Sequence, residues 1–270
     1  LIAMTLMMVI LGVYSVASLD ARLALIVHRN YQDTMDTVDI RETVNEVAAR
    51  GVAAGNVFAM PEGLSFETAA LAEPLACVMR GLEETGVKPG DTVAVIGLGP
   101  IGMMFVRMAK AVYKARVIAI GRRQSQLDRA ASMGSDELVL NDDGADVITP
   151  VKNLTGGRGA DVVIEAVGLP EVWQLALQLL RRGGTINFFG GCPEGTQVPV
   201  DTSRLHYSEL TLKASFHHTP ALILKALNAV SQGYVTAKDF VNRVEPLTNL
   251  LDVMQHLMSH NGHMKTAIIP

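Results

Sequence analysis

Three glycines with a GxGxxG spacing, Gly97, Gly99 and Gly102, are the residues whose arrangement points most directly to chemistry. They follow a β-branched run at 92–96 and precede a helical pattern at 103–112. In such a strand–turn–helix, the first glycine permits the turn, the second admits a pyrophosphate, and the third lets the helix pack on the strand. The helix N-terminus adds N–H groups and a positive dipole end. The motif predicts dinucleotide binding; a glycine-rich turn without ligand is the alternative.

The end of the second predicted strand, residues 116–120, is where such a fold reads the ribose. An NAD site usually has an acidic residue there, which bonds the 2′-hydroxyl. This chain has Gly121-Arg122-Arg123 instead. Arginine presents a planar fork that suits phosphate oxygens, and no carboxylate repels a 2′-phosphate. We therefore expect NADP(H) rather than NAD(H), with a solvated basic loop as the alternative.

The histidines and cysteines identify no catalytic residue. A helical stripe of Leu and Met between 247 and 258 leaves the neighbouring histidines on the opposite face, which indicates a solvated face rather than a metal site. His256 and His260 lie on that face, and together with His263 they form the run that could otherwise suggest a metal site. His217 and His218 follow a predicted strand and are candidates for lining a cleft. Cys77 lies in an apolar helical pattern and is expected in the core.

Strands and helices must alternate to position these residues. The predicted strands are 92–96, 116–120, 137–140, 161–166, 185–189 and 210–216, and the helices are 65–84, 103–112, 124–133, 171–180, 220–231 and 247–259, before a last strand at 266–269. This order predicts an α/β Rossmann fold, a doubly wound parallel sheet with helices on both faces. We expect an unassigned segment at 1–55, a dinucleotide-binding domain at 56–216 and a C-terminal part at 217–270.

Composition, cysteine content and the apolar N-terminal segment bear on the partners and the location of the protein. Charged residues make up 19% of the 270, the net charge is −4 and aromatics are 5%, which disfavours a nucleic-acid partner. Two distant cysteines, Cys77 and Cys192, fit a reducing compartment, and we expect a cytoplasmic protein. Residues 1–19 carry no charge. They are long enough for a membrane or interfacial helix, but we favour a buried segment and no membrane partner.

Several motifs occur in an order that resembles the cofactor half of the zinc-type medium-chain alcohol dehydrogenases, and more narrowly the polyol and sorbitol dehydrogenase branch. They are Glu73-Pro74-Leu75-Ala76, Val87-Lys88-Pro89-Gly90-Asp91, Gly97-Leu98-Gly99-Pro100-Ile101-Gly102, Gly157-Arg158-Gly159-Ala160-Asp161 and Glu165-Ala166-Val167-Gly168. The resemblance runs from about residue 56 to the C-terminus. It implies hydride transfer between a nicotinamide cofactor and a small alcohol or polyol.

The resemblance also implies roles for single residues. Glu73 matches a glutamate that faces the catalytic zinc, and Lys265 matches a basic position near the pyrophosphate. The implied cofactor-binding set is Gly97, Gly99, Pro100, Ile101, Gly102, Gly121, Arg122, Arg123, Val167, Gly168, Phe189, Gly190 and Lys265. Val167 and Gly168 match backbone flanking the nicotinamide ring, and Phe189 and Gly190 match the adjacent strand end. Edge-to-edge pairing of cofactor domains in this family implies a homo-oligomer.

The family's other zinc ligands, a cysteine and a Gly-His-Glu segment, are not found before residue 56; His28 has no glutamate beside it. A structural-zinc lobe needs four cysteines, and the chain has two. We expect at most a reduced remnant of a second domain. Three hypotheses follow: an alcohol or polyol dehydrogenase; an inactive dinucleotide-binding fragment without the catalytic domain; and a zinc-independent quinone reductase, which Glu73-Pro74 and the GLGPIG form disfavour.

Overall fold

A computed structural model of the chain describes residues 58–142, 144–259 and 264–269. The chain divides into two units after Gly63, and the fold described is that of the second, residues 64–270. Within the described part, no helix is long and apolar enough to span a membrane. The apolar segment at 1–19 and the histidines His260 and His263 lie outside the described residues.

A six-stranded, wholly parallel sheet forms the centre of this unit, in the order β3-β2-β1-β4-β5-β6. Its strands are β1 Thr92–Ile96, β2 Arg116–Gly121, β3 Glu137–Leu140, β4 Ala160–Glu165, β5 Leu180–Phe188 and β6 Thr211–Ala214. In β1, Val93 pairs with Val117 of β2 on one side and with Val162 of β4 on the other. The strand order reverses between β1 and β4, and ligands bind at the carboxyl ends beside such a switch point.

Helices cover both faces of the sheet. They are α1 Phe66–Ala69, α2 Ala72–Thr85, α3 Pro100–Ala111, α4 Gln124–Ser132, α5 Ile148–Leu154, α6 Pro170–Leu179, α7 Thr202–Tyr207, α8 Pro220–Ser231, α9 Ala237–Phe240 and α10 Leu250–Ser259. The core divides into two apolar clusters, one on each face. Val93 and Val95 of β1 belong to one, and Ala94 and Ile96 to the other, as a strand period of two requires. The predicted doubly wound Rossmann fold is confirmed.

The C-terminal part continues this core. Helix α8 packs on α2, and Phe240 and Met264 are buried in the same cluster as α2 and α3. Strands β7 Val241–Pro246 and β8 Lys265–Ile269 form a separate two-stranded parallel sheet. A 3₁₀ turn at Leu247–Asn249 leads into α10.

The structure differs from the sequence prediction in a few elements. The helix predicted at 65–84 is two helices, α1 and α2; Ser65 begins the first, where its hydroxyl accepts a hydrogen bond from the Thr68 N–H at 3.3 Å. Strand β5 begins five residues before the predicted start, because a register shift lets Leu180 pair with Ala160. Helices α5, α7 and α9 and strand β7 were not predicted. Strand β7 is mostly exposed and lacks an alternating pattern, so only its pairing with β8 identifies it.

Candidate cofactor site

The three glycines of the turn between β1 and α3 have different surroundings. At Gly97 the φ angle is +94°, and a Cβ would lie 2.5 Å from Val167 Cγ2. A Cβ on Gly102 would overlap the carbonyl oxygen of Gly97. At Gly99, by contrast, an added Cβ would have no atom within 4 Å. Steric contact within the fold therefore explains the first and third glycines, whereas the second faces open space.

Gly99 also forms the N-cap of α3. Its φ and ψ are −80° and −173°, and it has no side chain to bond the first turn. Pro100 occupies the first helical position, where a missing N–H is harmless. The N–H groups and positive dipole end of a twelve-residue helix thus border the open space at Gly99. This is a cradle of the kind that binds a pyrophosphate.

The end of β2 lies against this turn. A Cβ on Gly121 would be 2.7 Å from Leu98 Cδ1, so glycine here allows the strand end to pack closely on the turn. Arg122 and Arg123 follow at once and are exposed. The Arg122 N–H donates to Gln126 Oε1 at 3.2 Å, and Arg123 is the N-cap residue of α4. Both arginines are therefore placed at the sheet edge where a cofactor ribose would be read.

The ends of β4 and β5 meet at one buried carboxylate, Glu165, which is 0% exposed. Its Oε1 accepts the N–H groups of Val167 at 2.8 Å and Gly168 at 2.9 Å. Its backbone oxygen accepts those of Phe189 at 3.0 Å and Gly190 at 2.9 Å. Burial raises the pKa of the Glu165 carboxyl, against the opposing effect of the Gly168 and Val167 N–H bonds. The four residues matched to the nicotinamide side are thus all hydrogen-bonded to Glu165, two through its carboxylate and two through its backbone carbonyl.

Sequence reasoning missed Glu165 as a site residue and used it only as part of a family motif. The available signal was an acidic residue at the end of an otherwise apolar buried strand. Such a residue is costly to bury unless hydrogen bonds satisfy it, and it therefore indicates a specific local role.

A second group of polar side chains surrounds Glu73, in the first turn of α2. Glu73 Oε1 accepts a hydrogen bond from Cys77 Sγ at 3.3 Å and lies 3.4 Å from His218 Nε2. Lys265 lies near enough to interact electrostatically with Glu73, and burial lowers the pKa of its ammonium group. The structure therefore places Lys265, His218 and Glu73 in one neighbourhood, which sequence reasoning had treated as three separate assignments.

The described residues do not fit a catalytic zinc centre. Cys77 is buried in α2, where its thiol donates a hydrogen bond to Glu73. No set of three or more His, Cys, Asp or Glu side chains in the described ranges has the arrangement of a metal site. His256 lies in α10 and is partly exposed. A catalytic zinc needs about three protein ligands and an open position.

The comparisons with known proteins agree with this geometry. Residues 100–232 match the family model described as zinc-binding dehydrogenase. Sorbitol dehydrogenase of Bacillus subtilis is 30% identical over 215 residues, which are 79% of this chain and 60% of that protein. Over residues 100–232 the chain belongs to the zinc-binding dehydrogenase family. Its described part corresponds to the cofactor-binding half of the dehydrogenases that it matches.

Solved structures of zinc-binding dehydrogenases share this fold. Alcohol dehydrogenase from Thermus sp. ATN1 superposes with a TM-score of 0.71 at 27% identity, over 78% of this chain and 60% of that one. A protein of Sinorhizobium meliloti 1021, described as a zinc-binding dehydrogenase and bound to NADP, gives 0.73 at 29% identity, over 79% and 62%. The chain thus spans about three fifths of the length of these relatives.

Proposed function

We propose that this chain binds a nicotinamide dinucleotide across the carboxyl ends of β1, β2, β4 and β5. The observation that carries the proposal is the contrast among the glycines of the turn. Gly97 and Gly102 are required by contacts within the fold, but Gly99 leaves open space at a helix N-terminus. A ligand whose pyrophosphate occupies that space explains why it is left free of a side chain.

We further propose that the cofactor is NADP(H). The strand end that reads the ribose carries Arg122 and Arg123, both exposed, and no carboxylate within that tripeptide. The NADP-bound Sinorhizobium relative supports the same choice. The test is the double variant Arg122→Ala, Arg123→Ala, with Arg129→Ala, at the other end of α4, as the matched control. We expect the double variant to lose about tenfold in affinity for NADPH and little for NADH, as the loss of a charge-assisted contact implies.

Two outcomes would count against the NADP(H) assignment. An unchanged ratio of NADPH to NADH affinity in the double variant would show that the arginines do not read the 2′-phosphate. An equal loss in Arg129→Ala would show a general effect of charge rather than a local contact. Isothermal titration calorimetry measures all six affinities, those of wild type, the double variant and Arg129→Ala for NADPH and for NADH.

For the complete catalytic unit, we propose oxidoreduction between NADP(H) and a small alcohol or polyol, as the names of the relatives indicate. The bound cofactor supplies the hydride donor or acceptor. Residues of this chain bind its phosphates at Gly99 and α3, orient its nicotinamide half beside 166–168 and 189–190, and exclude water by close packing there. No step through zinc is derived, because the described residues do not provide its ligands.

A second candidate is a dinucleotide-binding chain without turnover, which the lack of a three-ligand set among the described residues favours. Zinc content and dinucleotide binding measured on one purified sample distinguish the two. Near-stoichiometric zinc together with NADPH binding and NADP-linked oxidation of a polyol supports the dehydrogenase. Dinucleotide binding without zinc and without turnover supports the binding chain.

A further inference from the structure

Glu165 differs from every other acidic residue in the described part of the chain, because it alone is fully buried. A carboxylate in this position costs free energy unless its hydrogen bonds are satisfied, and an apolar residue of similar volume is often more stable. Oε1 accepts two N–H groups, whereas Oε2 makes no hydrogen bond of standard geometry, although the Trp173 and Gly190 N–H groups lie close enough to stabilise the carboxylate. The stability of the core alone therefore does not explain why a glutamate, rather than an apolar residue, occupies position 165.

The contacts of Glu165 join two loops. Its side chain binds the loop after β4 through Val167 and Gly168, and its backbone oxygen binds the segment after β5 through Phe189 and Gly190. These loops touch backbone to backbone with no room for side chains. A Cβ on Gly168, where φ is +83°, would lie 2.6 Å from Gly191 O.

The segment after β5 is also contacted by Trp173 of α6. The Trp173 indole N–H donates to Gly190 O at 2.9 Å, and its ring stacks on Phe188 with centroids 4.0 Å apart. A Cβ on Gly190 would lie 2.8 Å from Glu165 Oε2. The carboxylate therefore lies against both loops at the point where they meet.

The loop after β4 also contacts the phosphate-binding turn. A Cβ on Gly97 would meet Val167 Cγ2 at 2.5 Å and the Ala166 carbonyl carbon at 3.1 Å. The position of residues 166–168 thus sets the spacing between the turn that would hold the pyrophosphate and the strand ends beside the nicotinamide. The side chain of Val167 remains 38% exposed on this surface.

The direction of the hydrogen bonds has a consequence for recognition. In a planar trans peptide, N–H and C=O point in opposite directions. Because the Gly168 N–H points to Glu165, the Val167 carbonyl points away from the carboxylate. The loop therefore offers a ligand an acceptor rather than a donor at this peptide. A carboxamide NH₂ group is a donor of matching chemistry.

We propose that Glu165 is a positioning residue for the nicotinamide half of the dinucleotide. It binds no ligand itself; it fixes residues 166–168 and 189–190 at the distance and orientation that the nicotinamide end requires. The adenosine half, read at the end of β2, is independent of it. This inference rests on the proposed dinucleotide binding.

The test compares a whole dinucleotide with its adenosine half. NADPH and adenosine 2′,5′-bisphosphate are titrated by calorimetry into wild type, Glu165→Met and Glu165→Gln, or NADH and ADP if wild type prefers NADH. Methionine removes the acceptor at similar volume, whereas glutamine keeps one oxygen. Glu171→Gln, an exposed acid at the start of α6, is the matched control. Circular dichroism establishes that each variant is folded.

We expect the dissociation constant for NADPH to rise about tenfold in Glu165→Met and about threefold in Glu165→Gln, consistent with losing or weakening a hydrogen-bonded support. The dissociation constant for the adenosine fragment should stay within about twofold of the wild-type value in both Glu165 variants. If Glu165→Met does not fold, the Glu165→Gln ratio decides. Equal losses for NADPH and the fragment, or no loss for either, would overturn the positioning role. Failure of wild type to bind any dinucleotide would instead refute the proposed function, and this inference with it.

Discussion

Replacing Gly99 by alanine should separate ligand binding from folding. The new methyl group would meet no atom within 4 Å, and the backbone angles of −80° and −173° suit alanine. Alanine is a poorer N-cap than glycine, by about 1 kcal/mol or less. A less flexible unfolded chain offsets this by about 0.4–1 kcal/mol. The two terms nearly cancel, so the melting temperature should change by no more than about 4 °C.

Binding should respond very differently. The methyl group enters the space where we place the pyrophosphate, so at least one phosphate–backbone hydrogen bond is lost. Such a loss costs about 1–3 kcal/mol, which is about five- to 150-fold in the dissociation constant. Calorimetry with NADPH measures this change, and thermal denaturation measures stability on the same samples.

Gly102→Ala is the informative comparison, because its methyl group would overlap the Gly97 carbonyl oxygen. It should lower stability and binding together. The reasoning would be refuted if Gly99→Ala bound NADPH as tightly as wild type while remaining folded. It would also be refuted if Gly99→Ala were as unstable as Gly102→Ala, since the space at Gly99 would then be needed by the fold.

Two further predictions concern stability. Burial opposes ionisation of Asp161, but the Thr92 N–H bond and Arg181 outweigh it and lower its pKa below the ordinary 3.8. Its contribution is therefore present at neutral pH and is lost as pH falls through the folded-state pKa. Asp161→Asn should cost about 1–3 kcal/mol in urea unfolding at pH 7, and this difference should shrink progressively as the pH is lowered below 3.8; a pH-independent difference would contradict this assignment. Phe105 is fully buried and meets the ring of Phe189 edge-on at 5.0 Å, so Phe105→Ala should cost about 3–5 kcal/mol in the same assay, and a loss below about 1 kcal/mol would contradict its place in the core.

Much of the fold could be predicted because local patterns and the global fold agree. The β-branched run at β1 is buried on both faces, and helix α3, which follows it, has an apolar face. Strand β7 could not be predicted, since an exposed strand pairs through its backbone and leaves little trace in side-chain pattern. The break between α1 and α2 also leaves no signal in the sequence, because Ala70 and Leu71, which lie between the two helices, are both residue types that favour helix.

Some residues of the candidate site could be predicted from local sequence, whereas others are brought together only by tertiary packing. The glycine turn and the two arginines were predicted from spacing alone, because their roles depend on a local strand–turn–helix unit. The neighbourhood of Glu73, His218 and Lys265 joins residues up to 192 positions apart in the sequence numbering, from 73 to 265. Which distant side chains meet depends on how α2, the segment after β6 and β8 pack together. No local pattern records that packing.

The Rossmann fold and the resemblance to the family could be recognised from sequence alone, because both follow from local periodicity and from the order of the motifs, and the glycine spacing at 97–102 predicts a dinucleotide-binding turn. Tertiary structure decided which glycine faces open space and which are enforced by contacts. It also decided that Glu165 is hydrogen-bonded to the segments after both β4 and β5, through its carboxylate to one and through its backbone carbonyl to the other. The reason is physical: a carboxylate can be buried only where N–H groups satisfy it, and the segments at 167–168 and 189–190 meet because β4 pairs with β5, which no local pattern records.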